Sequence, residues 1–283
     1  MGTLLDGKVV AASLKEETLK AAKELREKGT APKLTIVRVG ANPSDLSYER
    51  GALKRMQGCN IDTEVKELPE DITQEDFIKA LKEVNEDKNT HGILVFRPLP
   101  KQLDEEVIKY VIAPEKDVDC FSPTNVAKVM EGDQTGFAPC TPTAVMEILS
   151  YYNVDLKGAK SVVLGRSMVV GKPVAMLLLG QNATVTITHS KTKELPAVCA
   201  EADVLIAAIG RAKMVTADYV KEGAVVVDVG INVDEEGKLC GDVDFADVEN
   251  KASMLTPVPG GVGSVTTSVL AKHVIKACTL QNK

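Results

Sequence analysis

Apolar residues along the chain fall into two kinds of pattern. Short runs rich in β-branched residues, such as 34–39 and 161–164, are typical of buried strands. Between them, stretches such as 8–28 carry apolar residues at helical spacing, there with Val10 and Leu14 on one stripe. Strands that alternate with helices in this way predict parallel sheets.

The pattern and its breakers predict seven strands and seven helices. The predicted strands are 34–39, 63–68, 92–96, 161–164, 184–187, 204–208 and 224–229. The predicted helices are 8–28, 44–58, 77–84, 103–112, 143–152, 171–179 and 265–278. Ser44 or Asp45 is the expected cap of helix 44–58, and Thr73 with Asp76 resembles a capping box for the next one.

Residues 113–142 contain four prolines and show no periodic pattern. A long irregular connection of this kind is typical of a functional segment or a domain junction. We therefore predict an α/β fold of two domains, each with a mainly parallel sheet flanked by helices, and a cleft between them. The predicted domains are 1–142 plus 265–283, and 143–264.

Residues 158–192 predict a strand, a tight glycine turn, a helix and a second strand. This is half of a dinucleotide-binding unit, in which turn amides and a helix N-terminus meet the pyrophosphate. The usual G-x-G-x-x-G spacing is absent, because the glycines are Gly165 and Gly171. We expect a Rossmann-like C-terminal domain.

The residues at the end of the second strand favour NADP over NAD. NAD enzymes usually place Asp or Glu there for the ribose 2′-hydroxyl, whereas a nearby arginine suits a 2′-phosphate. Here the position offers Ser190 and Lys191, with Arg166 in the glycine turn. The alternative is that Arg166 and Ser190 are solvated loop residues.

Composition narrows the class of protein further. The 283 residues carry a net charge of −6 with no basic block, which argues against a nucleic-acid partner. No apolar run approaches the length of a membrane span, and the N-terminus lacks a signal-peptide core. The six scattered cysteines and three separated histidines indicate reduced thiols and no metal site. We expect a cytoplasmic protein.

Six stretches together resemble the methylenetetrahydrofolate dehydrogenase/cyclohydrolase family, over nearly the whole chain. They are GRSMVVGKP at 165–173, KDVD at 116–119, PCTP at 139–142, DVGIN at 228–232, GDVDF at 241–245 and TPVPGGVG at 256–263. The resemblance implies oxidation of 5,10-methylenetetrahydrofolate to the methenyl form with NADP, and in many members hydrolysis to 10-formyltetrahydrofolate. It also implies a homodimer formed through the cofactor domain.

The resemblance assigns site residues, with Tyr48 and Asp119 as the catalytic pair. Those implied at the folate are Tyr48, Val95, Arg97, Asp119, Pro259, Gly260 and Gly261. Those implied at NADP are Thr141, Gly165, Arg166, Ser167, Ser190, Ile231 and Thr266. Asp119 would accept from the pterin N–H groups, a use of a carboxylate that gives orientation as well as affinity. Packing or capping is the alternative role for Thr141, Ile231 and Thr266.

The chain departs from the family at two positions that concern the chemistry, besides smaller departures at Cys120, Ser122, Ala144, Ser264 and Val265. The family motif Y-x-x-x-K reads Tyr48 to Ala52 here, and the glutamine that partners the lysine is Phe96. Lys54 lies roughly 120° off the Tyr48 face of the helix, and Arg55 lies about 10 Å along its axis. Because a buried glutamine without its lysine would lose a partner, the paired loss is physically coherent.

In this family the lysine and tyrosine are implicated in the cyclohydrolase step. We therefore predict a dehydrogenase with weak or absent cyclohydrolase activity. Two alternatives stay open. The first is a bifunctional enzyme in which Arg97 or Arg55 replaces the lysine, although an arginine is a poor acid–base group. The second is a catalytically silent module that binds NADP or folate.

Overall fold

Alternating strands and helices run from Thr3 to Gln281 in the computed structural model, which describes residues 2–282. The strands are β1 Thr3–Leu4, β2 Lys33–Val39, β3 Asp62–Leu68, β4 Gly92–Val95, β5 Lys160–Leu164, β6 Thr184–Thr188, β7 Val204–Ala207, β8 Val225–Asp228, β9 Asn232–Val233, β10 Leu239–Cys240 and β11 Met254–Leu255. The helices are α1 Gly7–Glu27, α2 Pro43–Gly58, α3 Gln74–Glu86, α4 Glu105–Ile108, α5 Pro123–Glu131, α6 Cys140–Tyr151, α7 Gly171–Gly180, α8 Leu195–Cys199, α9 Phe245–Val248 and α10 Thr266–Gln281.

The chain divides into two compact units. One combines Thr141–Thr266 with the N-terminal stretch to Ala11, and the other combines Ala12–Cys140 with the stretch from Thr267 onward. We call them the 141–266 unit and the 12–140 unit. This division departs from the predicted domains in the N-terminal stretch, because β1 pairs in parallel with β11. A pairing between residues 251 positions apart leaves no local signal in the sequence.

The 141–266 unit is built on a six-stranded sheet of order β1-β11-β8-β7-β5-β6. Every pairing within it is parallel, as predicted. Its core draws on β5, β7 and β8, where apolar side chains such as Leu164, Leu205 and Val226 are fully or almost fully buried. The chain passes from β5 to β6 on one side and returns to β7 on the other. Ligands of parallel α/β sheets bind outside the strand ends at such a reversal.

The 12–140 unit is built on a three-stranded parallel sheet of order β3-β2-β4. Helix α3 buries Phe77, Leu81 and Val84 in one core with Val37 and Val95 of the sheet. Thr73 caps this helix through its hydroxyl, which accepts from the Asp76 N–H at 3.1 Å. The predicted capping interaction is therefore confirmed.

Two local predictions are wrong because a proline begins a helix. Residues 113–142 are not irregular throughout, because Pro123 occupies the first turn of α5, which Ser122 caps. A proline there lacks only an N–H that the helix does not use. In the same way Pro43 begins α2, so its cap is Asn42 and neither of the two residues predicted.

Helix α4 is also shorter than the predicted 103–112, and turns take up the remainder. Among residues 2–282, none of the helices combines the length and apolar character that a membrane span needs.

Candidate active site

The turn after β5 is built from two glycines that no other residue could replace without movement. Gly165 has a φ of +132°, and a Cβ on it would collide with the carbonyl oxygen of Ala208. A Cβ on Gly171 would collide with the carbonyl oxygen of Gly165. The turn therefore folds tightly against the end of β7, as a backbone that receives a pyrophosphate must.

Ser167 holds the start of α7 in place. Its hydroxyl oxygen accepts from the N–H groups of Val170 and Gly171 at 3.1 and 3.4 Å, and its carbonyl accepts from Lys172. These bonds satisfy N–H groups that the first turn of a helix leaves without a partner. The hydroxyl hydrogen of Ser167 can still donate to a ligand.

A cavity of about 320 Å³ lies at the carboxyl ends of β5, β6 and β7. We call it the cofactor cavity. Four residues predicted at the cofactor line it together: Gly165, Arg166, Ser167 and Ser190. Two further polar residues line it that the sequence patterns did not indicate, His189 and Arg211. Arg211 follows the strand 204–208 directly after Gly210, a position that a search of strand ends could have found.

His189 is oriented by its own loop. Its Nδ1 accepts from the Lys191 N–H at 3.1 Å, so the neutral ring carries its proton on Nε2. The ring therefore offers one N–H donor, through Nε2, beyond its own turn.

Two buried aspartates hold the loops at this edge of the sheet. Asp242 is 0% exposed and accepts from the N–H groups of Ile209, Gly210 and Arg211 at 2.6, 3.0 and 2.8 Å. Asp228 accepts from the N–H groups of 230, 242 and 243. Burial raises the pKa of Asp228 to about 6, although these donors act to lower it. The motifs DVGIN and GDVDF are thus hydrogen-bonded to each other, and together they hold the loops at this edge.

A second cavity, of about 260 Å³, is lined by Ile231 and by the glycine loop that contains Pro259, Gly260 and Gly261. The Gly260 carbonyl accepts from the Gly7 N–H at 2.9 Å, which ties this loop to the start of α1. The remaining two residues predicted at the cofactor lie in the same unit. Thr141 lies half-buried in the first turn of α6, and the Thr266 hydroxyl donates to the Gly263 carbonyl at 3.3 Å.

In the 12–140 unit, Asp119 is placed beside Arg97. The Asp119 Oδ1 accepts from the Cys140 N–H at 2.8 Å, and its Oδ2 lies 4.0 Å from the Arg97 guanidinium. Burial raises the pKa of Asp119, while the Cys140 N–H and Arg97 partly offset that rise. The Arg97 guanidinium also stacks over Phe121, 4.7 Å from the ring centroid. Each carboxylate oxygen of Asp119 thus has one polar neighbour within 4.0 Å.

Tyr48 lies on α2, where its ring meets Phe96 edge to face. Ala52, one turn further along α2, is fully buried, and Phe96 is 8% exposed. The side chain of Val95, also predicted at the folate, lies in the core of the sheet. The two positions at which the family has a lysine and a glutamine are therefore occupied by apolar side chains in this chain.

Helix α2 is fastened to the sheet by a buried ion pair. Arg38 of β2 donates through Nε to the Glu49 carboxylate at 2.8 Å, and these side chains are 4% and 13% exposed. Arg38 also donates to the Gly40 carbonyl and lies 3.1 Å from Glu67. Because Glu49 directly follows Tyr48, this pair sets the position of the tyrosine.

These features define a class of protein. A parallel sheet carries a glycine turn, a helix start and two arginines at its carboxyl edge, which is the arrangement of a Rossmann-like dinucleotide-binding protein. Within residues 2–282, no group of three or more His, Cys, Asp or Glu side chains is arranged to hold a metal ion.

Comparison with known proteins identifies the family. Residues 5–119 match the catalytic domain of tetrahydrofolate dehydrogenase/cyclohydrolase, and residues 139–282 match its NAD(P)-binding domain. The bifunctional protein FolD of Clostridioides difficile (strain 630) is 72% identical over 99% of this chain and 98% of its own length. The chain therefore belongs to the tetrahydrofolate dehydrogenase/cyclohydrolase family.

Solved structures agree with this assignment. The bifunctional FolD enzyme of Campylobacter jejuni is 42% identical with a TM-score of 0.96, and the match covers 99% of both chains. FolD of Trypanosoma brucei, solved with NADP and an inhibitor, is 34% identical with a TM-score of 0.93, over 100% of this chain and 99% of that one.

Proposed function

We propose that this protein oxidises 5,10-methylenetetrahydrofolate to 5,10-methenyltetrahydrofolate with NADP as the hydride acceptor. The observation that carries the proposal is the cofactor cavity, in which Arg166 and Ser190 lie beside the Gly165 turn. The Trypanosoma brucei relative, described as a methylenetetrahydrofolate dehydrogenase-cyclohydrolase complexed with NADP, supports the choice of cofactor.

Different residues of the cofactor cavity bind different parts of NADP. The amides of the Gly165 turn and of the start of α7 face the pyrophosphate, and Arg166 with Ser190 holds the 2′-phosphate. When bound, NADP supplies the nicotinamide carbon that receives the hydride. The protein contributes position, which is the main requirement of hydride transfer.

The folate residues orient the carbon that loses the hydride. Asp119 accepts hydrogen bonds from the polar edge of the pterin, and Tyr48 packs beside the ring system. The methylene carbon gives up a hydride with its electron pair, and the adjacent nitrogen lone pair stabilises the resulting cation. This step needs no titrating base, so the absence of a lysine at position 52 does not prevent it.

The hydrolysis of the methenyl product is weak or absent in this proposal. Apolar Ala52 and Phe96 stand where the family has a lysine and a glutamine, and Arg97 is engaged with Asp119 and Phe121. Arginine stays protonated and is therefore a poor general acid or base for activating water. The second candidate is the bifunctional enzyme, which the name of the Clostridioides difficile relative favours.

One experiment separates these functions. Purified protein with methylenetetrahydrofolate and NADP is followed at two wavelengths, one reporting NADPH and methenyl product together and one distinguishing them. We expect the methenyl product to accumulate in step with NADPH and then decay at the rate seen in buffer. Formation of NADPH without accumulation of the methenyl product would establish the bifunctional enzyme. No folate-dependent formation of NADPH would reject both.

A homodimer formed through the 141–266 unit is part of the proposal. Strand β6 is an edge of the six-stranded sheet, and Ile187 on it and Leu179 on α7 are 37% and 54% exposed. Exposed apolar side chains next to an open strand edge are typical of a subunit interface. Light scattering after gel filtration should give a molar mass of twice that of the chain. Leu179→Glu should lower the measured mass toward that of a single chain.

A cytoplasmic location also belongs to the proposal. All six cysteines are buried free thiols, as in proteins of reducing compartments.

A further inference from the structure

Arg211 reaches the cofactor cavity from a different strand than Arg166 does. Arg166 follows β5, Arg211 follows β7, and these two strands are neighbours in the sheet. Both arginines are exposed, and among residues 2–282 neither guanidinium forms an ion pair with a carboxylate. Two arginines without a carboxylate partner therefore line one cavity.

The backbone of Arg211 is held in place by a buried carboxylate, that of Asp242. The buried Asp242 accepts from its N–H and from the two preceding N–H groups, and it also accepts from the Asn232 side chain at 2.9 Å. Lys213, the next cation on this loop, lies outside the cavity lining and pairs with Asp234 at 3.0 Å. The backbone of Arg211 is thus fixed where its side chain lines the cavity, while Lys213 forms an ion pair within its own loop.

The lining of the cofactor cavity is positively charged, as the binding of a phosphate group requires. None of its described residues is acidic, so none could accept from a ribose 2′-hydroxyl as a carboxylate does. A phosphate monoester carries a charge of about −1.5 to −2 at pH 7, which a single arginine does not balance. Two guanidinium groups balance it and supply directed donors.

We propose that Arg211 is a second cation for the 2′-phosphate of NADP and sets, together with Arg166, the preference for NADP over NAD. This inference rests on the proposed function, because it concerns the same cofactor cavity. It assigns to the loop after β7 a share in a specificity that the sequence attributed to Arg166 in the turn after β5 and to Ser190 at the end of β6.

The test is Arg211→Gln, with KM and kcat measured for NADP and for NAD. We expect the KM for NADP to rise about tenfold to hundredfold, the KM for NAD to change less than about twofold, and kcat at saturating NADP to stay the same. Arg211→Lys should recover part of the loss. Lys213→Gln, which removes one positive charge from the same loop, is the matched control and should leave both KM values unchanged.

A binding measurement makes the inference independent of turnover. Titration calorimetry compares adenosine 2′,5′-bisphosphate with adenosine 5′-monophosphate on both proteins. Arg211→Gln should weaken only the bisphosphate. Equal losses for both nucleotides, or for NADP and NAD, would assign Arg211 to another part of the cofactor, and no loss would remove it from the site. If the unaltered protein binds the bisphosphate more tightly but reduces no NADP with folate, the proposed function fails while the role of Arg211 stands.

Discussion

Tyr48 and Phe96 lie edge to face, with ring centroids 5.7 Å apart and ring planes at 69°. This geometry places the positive edge of one ring against the negative face of the other and is worth about 0.5–1.5 kcal/mol beyond the burial of area. The tyrosine that the family pairs with a cation is therefore packed against an aromatic ring in this chain. The position one turn further along the helix is Ala52, whose side chain has no amine.

Restoring the family residues should introduce the second activity. Ala52→Lys alone places an ammonium group in a fully buried position and should lower the free energy of unfolding by about 3–5 kcal/mol. Adding Phe96→Gln supplies an acceptor and should recover part of that loss. We expect only the double variant to hydrolyse methenyltetrahydrofolate faster than buffer does, measured by the decay of its absorbance.

The control for this pair is Lys54→Ala, which changes an exposed lysine of the same helix. It should alter neither stability nor hydrolysis. Fast hydrolysis by the unaltered protein would contradict the assignment of Ala52 and Phe96 as the cause of the loss.

Arg166→Ala should act on the cofactor preference. Removing the guanidinium from the cavity leaves the 2′-phosphate with fewer charge-assisted donors, which are worth about 1.5–3 kcal/mol each. We therefore expect the KM for NADP to rise far more than the KM for NAD, in steady-state assays with saturating folate. Equal effects on the two cofactors would reject the role of Arg166 in selectivity.

Glu49→Gln should weaken the attachment of α2. The change removes the charge that faces the buried Arg38 guanidinium, whose other carboxylate partner, Glu67, is 63% exposed. We expect the free energy of unfolding in urea to fall by about 2 kcal/mol. Because α2 carries Tyr48, the KM for folate should rise while the KM for NADP stays the same.

Glu83→Gln is the matched control for this change. Glu83 forms an exposed pair with Lys66, and removing its charge should cost about 0.5 kcal/mol or less. A rise in the KM for NADP as large as that for folate in Glu49→Gln would show a general loss of structure, and would contradict a local role.

The buried His273 should make stability depend on pH. Burial lowers the pKa of its ring to about 4 from an ordinary 6.5, and its Nδ1 lies 2.9 Å from the Val118 carbonyl. Between these values the unfolded chain binds a proton that the folded chain does not. Stability therefore falls as the pH falls from about 6.5 to about 4, by roughly 3 kcal/mol from this group.

His273→Gln should remove this contribution. Unfolding in urea at several pH values would show a smaller decline for the variant, even if its stability at pH 7 is lower. Subtracting one curve from the other removes the contribution of other groups that titrate in the same pH range, such as Asp228 with its pKa of about 6. His189→Gln, which changes a half-buried histidine, is the control. If the free energy of unfolding of wild type and of His273→Gln changed with pH in parallel, the prediction would be wrong.

Much of the fold could be predicted because its strands and helices follow from patterns of residues that are close together in the sequence. The apolar runs that became β2, β5, β7 and β8 report burial on both faces, and their alternation with helices implies parallel pairing. The turn at Gly165 was visible for the same reason, since its shape depends on residues within one short segment. Pro123 shows the limit of that reasoning, because a proline that breaks one helix begins another.

The sequence by itself determined the class of fold, the position of the glycine turn and the loss of lysine at position 52. Only the tertiary structure decided that Arg211 shares a cavity with Arg166, that Asp242 holds a loop 31–33 residues away, and that β1 joins the sheet of the 141–266 unit. The physical reason is distance along the chain. Periodicity and capping act over a few residues, whereas a buried carboxylate or a strand edge finds its partners wherever folding brings unsatisfied N–H and C=O groups together.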